Sequence, residues 1–292
     1  MFSFGKAKSK ISVRGPKPQK EISLHPKLHA TDVTVQGYDN TVVVKSPRFH
    51  GTIQVYGVGN TVEIEDDVLV YRYCNIQIGD PQHPAFNCRC RIGKATAISC
   101  VQMYLLEDNS VIDVGEDCMI AYECDIWCTD THVMYDDKGR ARIGREIRIG
   151  NHVWVGMQVK IGKNSVIADG SMVGWGSVVS GRFEEPNSLI AGAPARLLKT
   201  GISWGRERPC EFQEGRKERE EQYADWRLGP APGPLQRLIL RLHVAYYRWR
   251  HDHAKQERRR GKYAIKLAHA EQELTRGQAH YGADSAKYDV FK

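Results

Sequence analysis

From Ile149 the chain reads IGNHVW, VGMQVK, IGKNSV, IADGSM, VGWGSV and then Val179, with an aliphatic residue at 149, 155, 161, 167, 173 and 179. A small residue follows each of the first five (Gly150, Gly156, Gly162, Ala168, Gly174), and the fifth place of each hexad is small or β-branched: Val153, Val159, Ser165, Ser171 and Ser177. Six is not a helical period. At about 100° per residue such a row wanders round a helix instead of marking one face, and each glycine in a helix interior costs about 1 kcal/mol. Six is a multiple of the strand period, so the pattern predicts short strands punctuated by glycine turns.

The same register recurs upstream in Ile64, Val70 and Ile76, in Ile92 and Ile98, and in Val114, Ile120 and Ile126, and Ile143 leads into Ile149. A longer echo relates G-Y-D-N-T-V-V-V (37–44) to G-V-G-N-T-V-E-I (57–64). The expected product is a solenoid over residues 32–204. Each hexad supplies one flat side and a turn, and its aliphatic residue stacks inward on coils about 4.8 Å apart. Ahead of it, residues 1–31 read as a basic, solvated tail. Behind it, residues 205–292 read as helices interrupted by G-P-A-P-G-P (229–234). Leu235, Leu238, Leu242, Tyr246 and Trp249, three or four apart, form an apolar stripe against an Arg- and Lys-rich face.

A solenoid has no need of polar interruptions, so breaks in the repeat mark candidate sites. One runs from Asp80 to Arg91, where Pro81 and Pro84 exclude regular strand pairing. The other follows Ile126 as WCTDTHVMYDDKGRAR, ending at Arg142 before Ile143 restores the register.

Charge and composition narrow the picture modestly. The net charge of +7 is concentrated at the two ends and does not call for nucleic acid, and none is expected as a partner. No apolar run of about 18 residues is present, and the N-terminus lacks the apolar segment of a secretory signal. The expectation is a cytoplasmic protein, with peripheral membrane contact through the C-terminal helices as an extension of it. Eight cysteines without a signal read as reduced, buried thiols. Cys88 and Cys90 lack a second pair at zinc spacing, so no metal is expected.

The T-D-T-H of the second break, followed by N-H-V-W-V-G (151–156), resembles the hexapeptide-repeat acyltransferases, in particular their sugar and polysaccharide O-acetyltransferase branch, and is similar to the galactoside and maltose acetyltransferases. The resemblance covers roughly residues 60–205 and continues through P-N-S-L-I-A-G-A-P-A-R-L-L-K (186–199) into G-I-S-W (201–204). It implies a mainly β fold, a left-handed parallel β-helix with three hexads per coil, and homotrimers with active sites at subunit interfaces. It implies acetyl-CoA as acyl donor and a saccharide acceptor, a surface or capsular polysaccharide or its precursor.

Acyl transfer to a hydroxyl needs a base of near-neutral pKa, a donor for the oxyanion and a groove holding the thioester. By resemblance His132 is the base and Trp154 stands near the thioester. Asp130 orients His132, binds the sugar or caps the turn, and His152 holds a recurrent family position. Met157 and Trp175, one coil apart, match the pantetheine groove, with Ser180 and Gly181 at the end of the last coil and Arg196 and Lys199 near the nucleotide phosphates. Trp175 departs from the family's alanine and Gly181 from its lysine. Three other readings use the same fold: N-acylation of an amino sugar, a non-catalytic scaffold, and a γ-type carbonic anhydrase. The last needs an H-x4-H pair within the repeat, and the nearest spacing, His25 and His29, is an H-x3-H pair outside the clear hexads. The His132 segment and G-I-S-W favour O-transfer.

Overall fold

Strands of two to ten residues, with their aliphatic residues turned inward, stack directly above one another, coil upon coil. The computed structural model describes residues 9–209, together with residues 216, 217, 219–221, 238, 241, 242, 244–246, 248, 249 and 271. A first compact unit ends at Gly205 and a second begins at Arg206.

The first unit is a parallel β-helix with three faces. Ile149 pairs with Ile167, Val155 with Val173 and Ile161 with Val179, so one coil takes 18 residues, or three hexads. Three inward columns form the core. On the first face Val44, Ile64, Ile92, Val114, Ile149 and Ile167 stack in register. The second face stacks Val70, Ile98, Ile120, Val155, Val173 and Ile190. The third stacks Ile53, Ile76, Met103, Ile126, Ile161 and Val179. The hexad aliphatics of the sequence are these columns, and all of them from Ile64 to Val179 except Ile143 are buried. The fifth-place residues fill the corners beneath them. Ser165 and Ser177 are fully buried there, each donating its hydroxyl to a carbonyl at 2.7 Å.

The corners turn at the fourth place of each hexad. His152, Gln158, Asn164, Gly170 and Gly176 all have left-handed backbones, with φ between 51° and 67°. The second-place glycines are not left-handed; they leave room for the next coil.

Three expectations are corrected. The N-terminal segment is not a free tail to residue 31. Ile11–Arg14 pairs in parallel with Thr31–Tyr38, and Glu21–Leu24 with Thr41–Val44. These early coils carry alternating strands at an offset of 20 residues, as between Val42 and Val62, and so show no hexads. The first break is shorter than its prolines suggest. Only Gly79–Pro84 leaves the coil, because Ala85–Phe86 already pairs with Gly57–Val58 and Arg89–Ile92 rejoins the first face. Ile143 is 47% exposed, and the core resumes at Ile147.

Seven cysteines face inward as free thiols. Burial pushes Cys90 and Cys128 up to about 12 and Cys124 up to about 11. Beyond Gly205 the described residues 216, 217, 219–221, 238, 241, 242, 244–246, 248, 249 and 271 are helical. The rest of the expected extension, with Cys210, Leu235 and the G-P-A-P-G-P linker, lies outside the described residues.

Candidate active site

Where the third face turns into the first, the coil opens after Trp127. Ile126 and Ile161 are neighbours in register although the chain between them is far longer than one coil, and the excess forms the second break. It is a hairpin. Met134–Tyr135 pairs antiparallel with Ala141–Arg142, and Asp136 closes the turn by accepting from the Lys138 and Arg140 amides at 2.9 Å. The return is anchored by the Gly144 amide, which donates to Glu107 Oε2 at 2.6 Å. A Cβ at Gly144 would strike the Cys128 carbonyl oxygen, so only glycine re-enters the coil so tightly.

His132 stands at the start of this hairpin. Thr129 is buried, and its hydroxyl accepts the Thr131 amide at 2.9 Å. Thr131 is left-handed, with φ 62°. The His132 amide donates to the Asp130 carbonyl oxygen at 2.7 Å. The turn thus presents His132 outward, and its imidazole makes no hydrogen bond among the described residues. The Asp130 carboxylate does not orient it. That carboxylate pairs at 2.7 Å with Lys163, one coil on at the same corner, whose side chain is only 11% exposed. Lys163 was not visible as a site residue in the sequence, since its pairing exists only once the coils stack.

Trp154 lies outward on the second face, in register between Met119 and Met172, and not in the aliphatic stack. His152, at the corner preceding it, is fully engaged. Its Nδ1 is 2.8 Å from Asp117 Oδ2 and its Nε2 is 3.2 Å from the Trp204 carbonyl oxygen. Its ring stacks on the Trp204 indole with centroids 4.1 Å apart, and Trp204 Nε1 donates to the His152 carbonyl oxygen at 2.9 Å. The G-I-S-W tail is therefore clasped back against the coil, with its indole 6.0 Å from that of Trp154. Asp117 and Trp204 complete a contact that the sequence alone did not reveal.

The expected donor-binding residues fall in three places. Met157 and Trp175 share the corner between the second and third faces; the Gly176 amide donates to the Met157 carbonyl oxygen at 2.9 Å, and Trp175 is 71% exposed with its ring over Gly156. Arg196 and Lys199 lie exposed on Ala195–Lys199, the strand that closes the second face against Leu189–Gly192. Ser180 and Gly181 instead occupy the corner of Lys163 and the His132 hairpin, where the Val166 amide donates to the Gly181 carbonyl oxygen. Within one chain, His132 and the Met157–Trp175 pair stand at opposite edges of the third face, and no described contact joins them.

No protein-family model matches the chain, and no curated protein matches it significantly. Solved structures do match. The polySia-specific acetyltransferase NeuO is 22% identical with a TM-score of 0.57, over 74% of this chain and 98% of its own. The polysialic acid O-acetyltransferase OatWY is 26% identical with a TM-score of 0.52, over 74% of this chain and 95% of its own. A galactoside acetyltransferase in complex with coenzyme A is 23% identical with a TM-score of 0.33, over 44% of this chain and 64% of its own. The chain has the β-helix fold of the two polysialic acid enzymes along nearly their whole length.

Proposed function

We propose that this chain is a saccharide O-acetyltransferase of the hexapeptide-repeat type, moving an acetyl group from acetyl-CoA to a hydroxyl of a surface polysaccharide or its precursor. One observation carries the reading. On a solenoid that matches OatWY at 26% identity, the hairpin after Trp127 holds out an imidazole with no hydrogen-bond partner among the described residues, while the neighbouring carboxylate is occupied by Lys163.

An imidazole left unbonded is available to a substrate. As the acceptor oxygen attacks the thioester carbonyl, its proton passes to His132. The tetrahedral intermediate then collapses with cleavage of the carbon–sulfur bond, and the imidazolium returns the proton to the leaving thiolate. The Trp154 region supplies a donor for the oxyanion. The exposed Trp175 beside Met157 offers an apolar wall to the pantetheine arm, and Arg196 and Lys199 offer cations to the phosphates.

The separation of these groups within one chain supports a homotrimer, in which the hairpin of one subunit meets the Met157–Trp175 corner of the next. Val133, Met134, Tyr135 and Ile143 are between 47% and 64% exposed around His132, an apolar surface suited to such a contact. We read the coil as left-handed, as the resemblance implies. We read residues 205–292 as a helical extension whose described residues Leu238, Leu242, Tyr246 and Trp249 are more than half exposed, which supports a docking stripe. The acyl donor and the free, buried thiols support action in the cytoplasm.

The test is acetyl-CoA turnover against a panel of saccharides. His132→Ala is expected to lower the rate by about 10²–10⁴-fold with the fold intact. Unchanged turnover in the variant rejects the assignment.

A further inference from the structure

The echo at residues 37–44 and 57–64 plays no part in the chemistry above, yet it builds a cleft of its own. A cavity of about 520 Å³ lies across the N-terminal coils, beside the Gly79–Pro84 excursion and on coils preceding the one that carries His132.

Its floor is backbone. Gly15, Gly37 and Gly57 line it in successive coils. A Cβ on any of them would strike the carbonyl oxygen of the next residue in the column: Gly37, Gly57 and Ala85 in turn. Gly37 and Gly57 also have φ values of 129° and 132°, which bend their strands round the corner. The carbonyl oxygens of this floor are bound from inside the coil. Gln19 Nε2 donates to the Gly37 oxygen at 2.7 Å, Asn40 Nδ2 to the Gly57 oxygen at 3.0 Å and Asn60 Nδ2 to the Ala85 oxygen at 2.9 Å. Asn40 and Asn60 are fully buried. The G-x-x-N spacing of the echo is this device: a glycine that bends the strand and an asparagine that locks the bend. The trough is therefore held in shape before any ligand arrives.

Its walls are aromatic. Tyr38, Tyr56 and Phe86 line it on successive coils, with Phe86 39% exposed. Arg14 is exposed at the rim, and the Lys17 ammonium lies 4.9 Å from the Tyr38 ring centroid. The one carboxylate in the lining, Asp80, is already bound by the Gln82 and His83 amides at 2.7 and 2.8 Å. Aromatic platforms with polar edges suit the apolar faces and hydroxyls of sugar rings, and the cations suit acidic substituents.

We propose that this trough is a second saccharide site, which holds a stretch of an acidic polysaccharide away from the reaction centre and so favours long acceptors over short ones. The inference rests on the acetyl acceptor being a polysaccharide. It is tested with the full chain, without acyl donor, by calorimetric titration with short and long oligosialic acid fragments. Wild type is expected to bind the long fragments more tightly, and Tyr38→Ala with Tyr56→Ala to weaken that binding by about tenfold, while turnover of short fragments, measured separately with acetyl-CoA, stays unchanged. Arg14→Gln with Lys17→Gln, at exposed positions, is expected to weaken long-fragment binding and flatten its salt dependence, so the test survives if the tyrosine variant fails to fold. Affinity independent of fragment length, or variants that are folded and bind as wild type does, overturns the trough. A wild type that transfers acetyl to short saccharides but shows no length preference loses the trough and keeps the enzyme. One that binds long fragments through the tyrosines but acetylates no saccharide loses the enzyme and keeps the trough.

Discussion

The fourth place of a hexad and the second place both attract glycine, for unrelated reasons. At the fourth place the backbone is left-handed, so Gly176 (φ 63°) avoids a penalty that Gln158 (φ 59°) bears. A Cβ at Gly176 would meet nothing within 4 Å. Gly176→Ala is therefore expected to cost about 1 kcal/mol, from conformation alone. At the second place the constraint is space: a Cβ at Gly150 would stand 2.7 Å from the Asp169 amide nitrogen, with the Asp169 side chain closer still. Gly150→Ala must move backbone and is expected to cost about 2–3 kcal/mol. Chemical denaturation of the two variants separates the explanations, and equal losses at both positions would show that the coil relaxes around the added methyl group. The buried thiols belong to the same scale of argument. Cys118 fills a corner that a serine fills elsewhere: its Sγ lies 3.1 Å from the Gly150 carbonyl oxygen, while Ser165 Oγ donates to that of Gly162.

Between single residues and the whole coil lie the tail, the hairpin and the early strands. The Ile202 amide and the Trp204 carbonyl oxygen bind the G-I-S-W tail through its backbone, and the Trp204 side chain adds one stacked pair and one indole hydrogen bond. Trp204→Ala removes both and is expected to cost about 2 kcal/mol, whereas Trp204→Phe keeps a ring on His152 and loses about half as much. Thermal unfolding of the two variants checks the order, and an alanine variant as stable as wild type would mean that the clasp contributes nothing. Legibility in the sequence follows the same division. The coils from Ile149 to Val179 were readable because an aliphatic residue enters the core at every sixth position without a miss. Ile143 sits at the right interval and is nevertheless exposed, because the inserted hairpin frees the chain from the stacking that gives the interval its meaning. The strands before residue 32 were hidden because they alternate without hexads, and the next coils showed only as a longer echo because their bends use the Gly37–Asn40 and Gly57–Asn60 pairs in place of the hexad corner. The location of His132 was readable as a break in a repeat. The pairing of Asp130 with Lys163 and of His152 with Asp117 and Trp204 was not, because each joins residues from different coils.

At the scale of the whole molecule, the third face separates the two groups proposed to take part in acyl transfer. In the proposed closed ring of three subunits, each site would draw His132 from one chain and the Met157–Trp175 corner from its neighbour. Two inactive variants should then complement each other: His132→Ala retains the corner, and Trp175→Arg, at a position 71% exposed and so tolerant of the change, retains the base. In trimers reassembled from equal amounts of the two, a site is intact only when its base comes from a Trp175→Arg chain and its corner from a His132→Ala chain. Each condition holds for half of the chains, so about a quarter of the sites regain both halves. If instead one chain supplied the whole site, every site would carry one lesion and mixing would restore nothing. Light scattering of the mixture establishes that trimers are present when the rate is measured. Trimers of both variants that stay inactive after mixing would return the site to a single subunit, and a wild type that scatters as a monomer would remove the interface altogether.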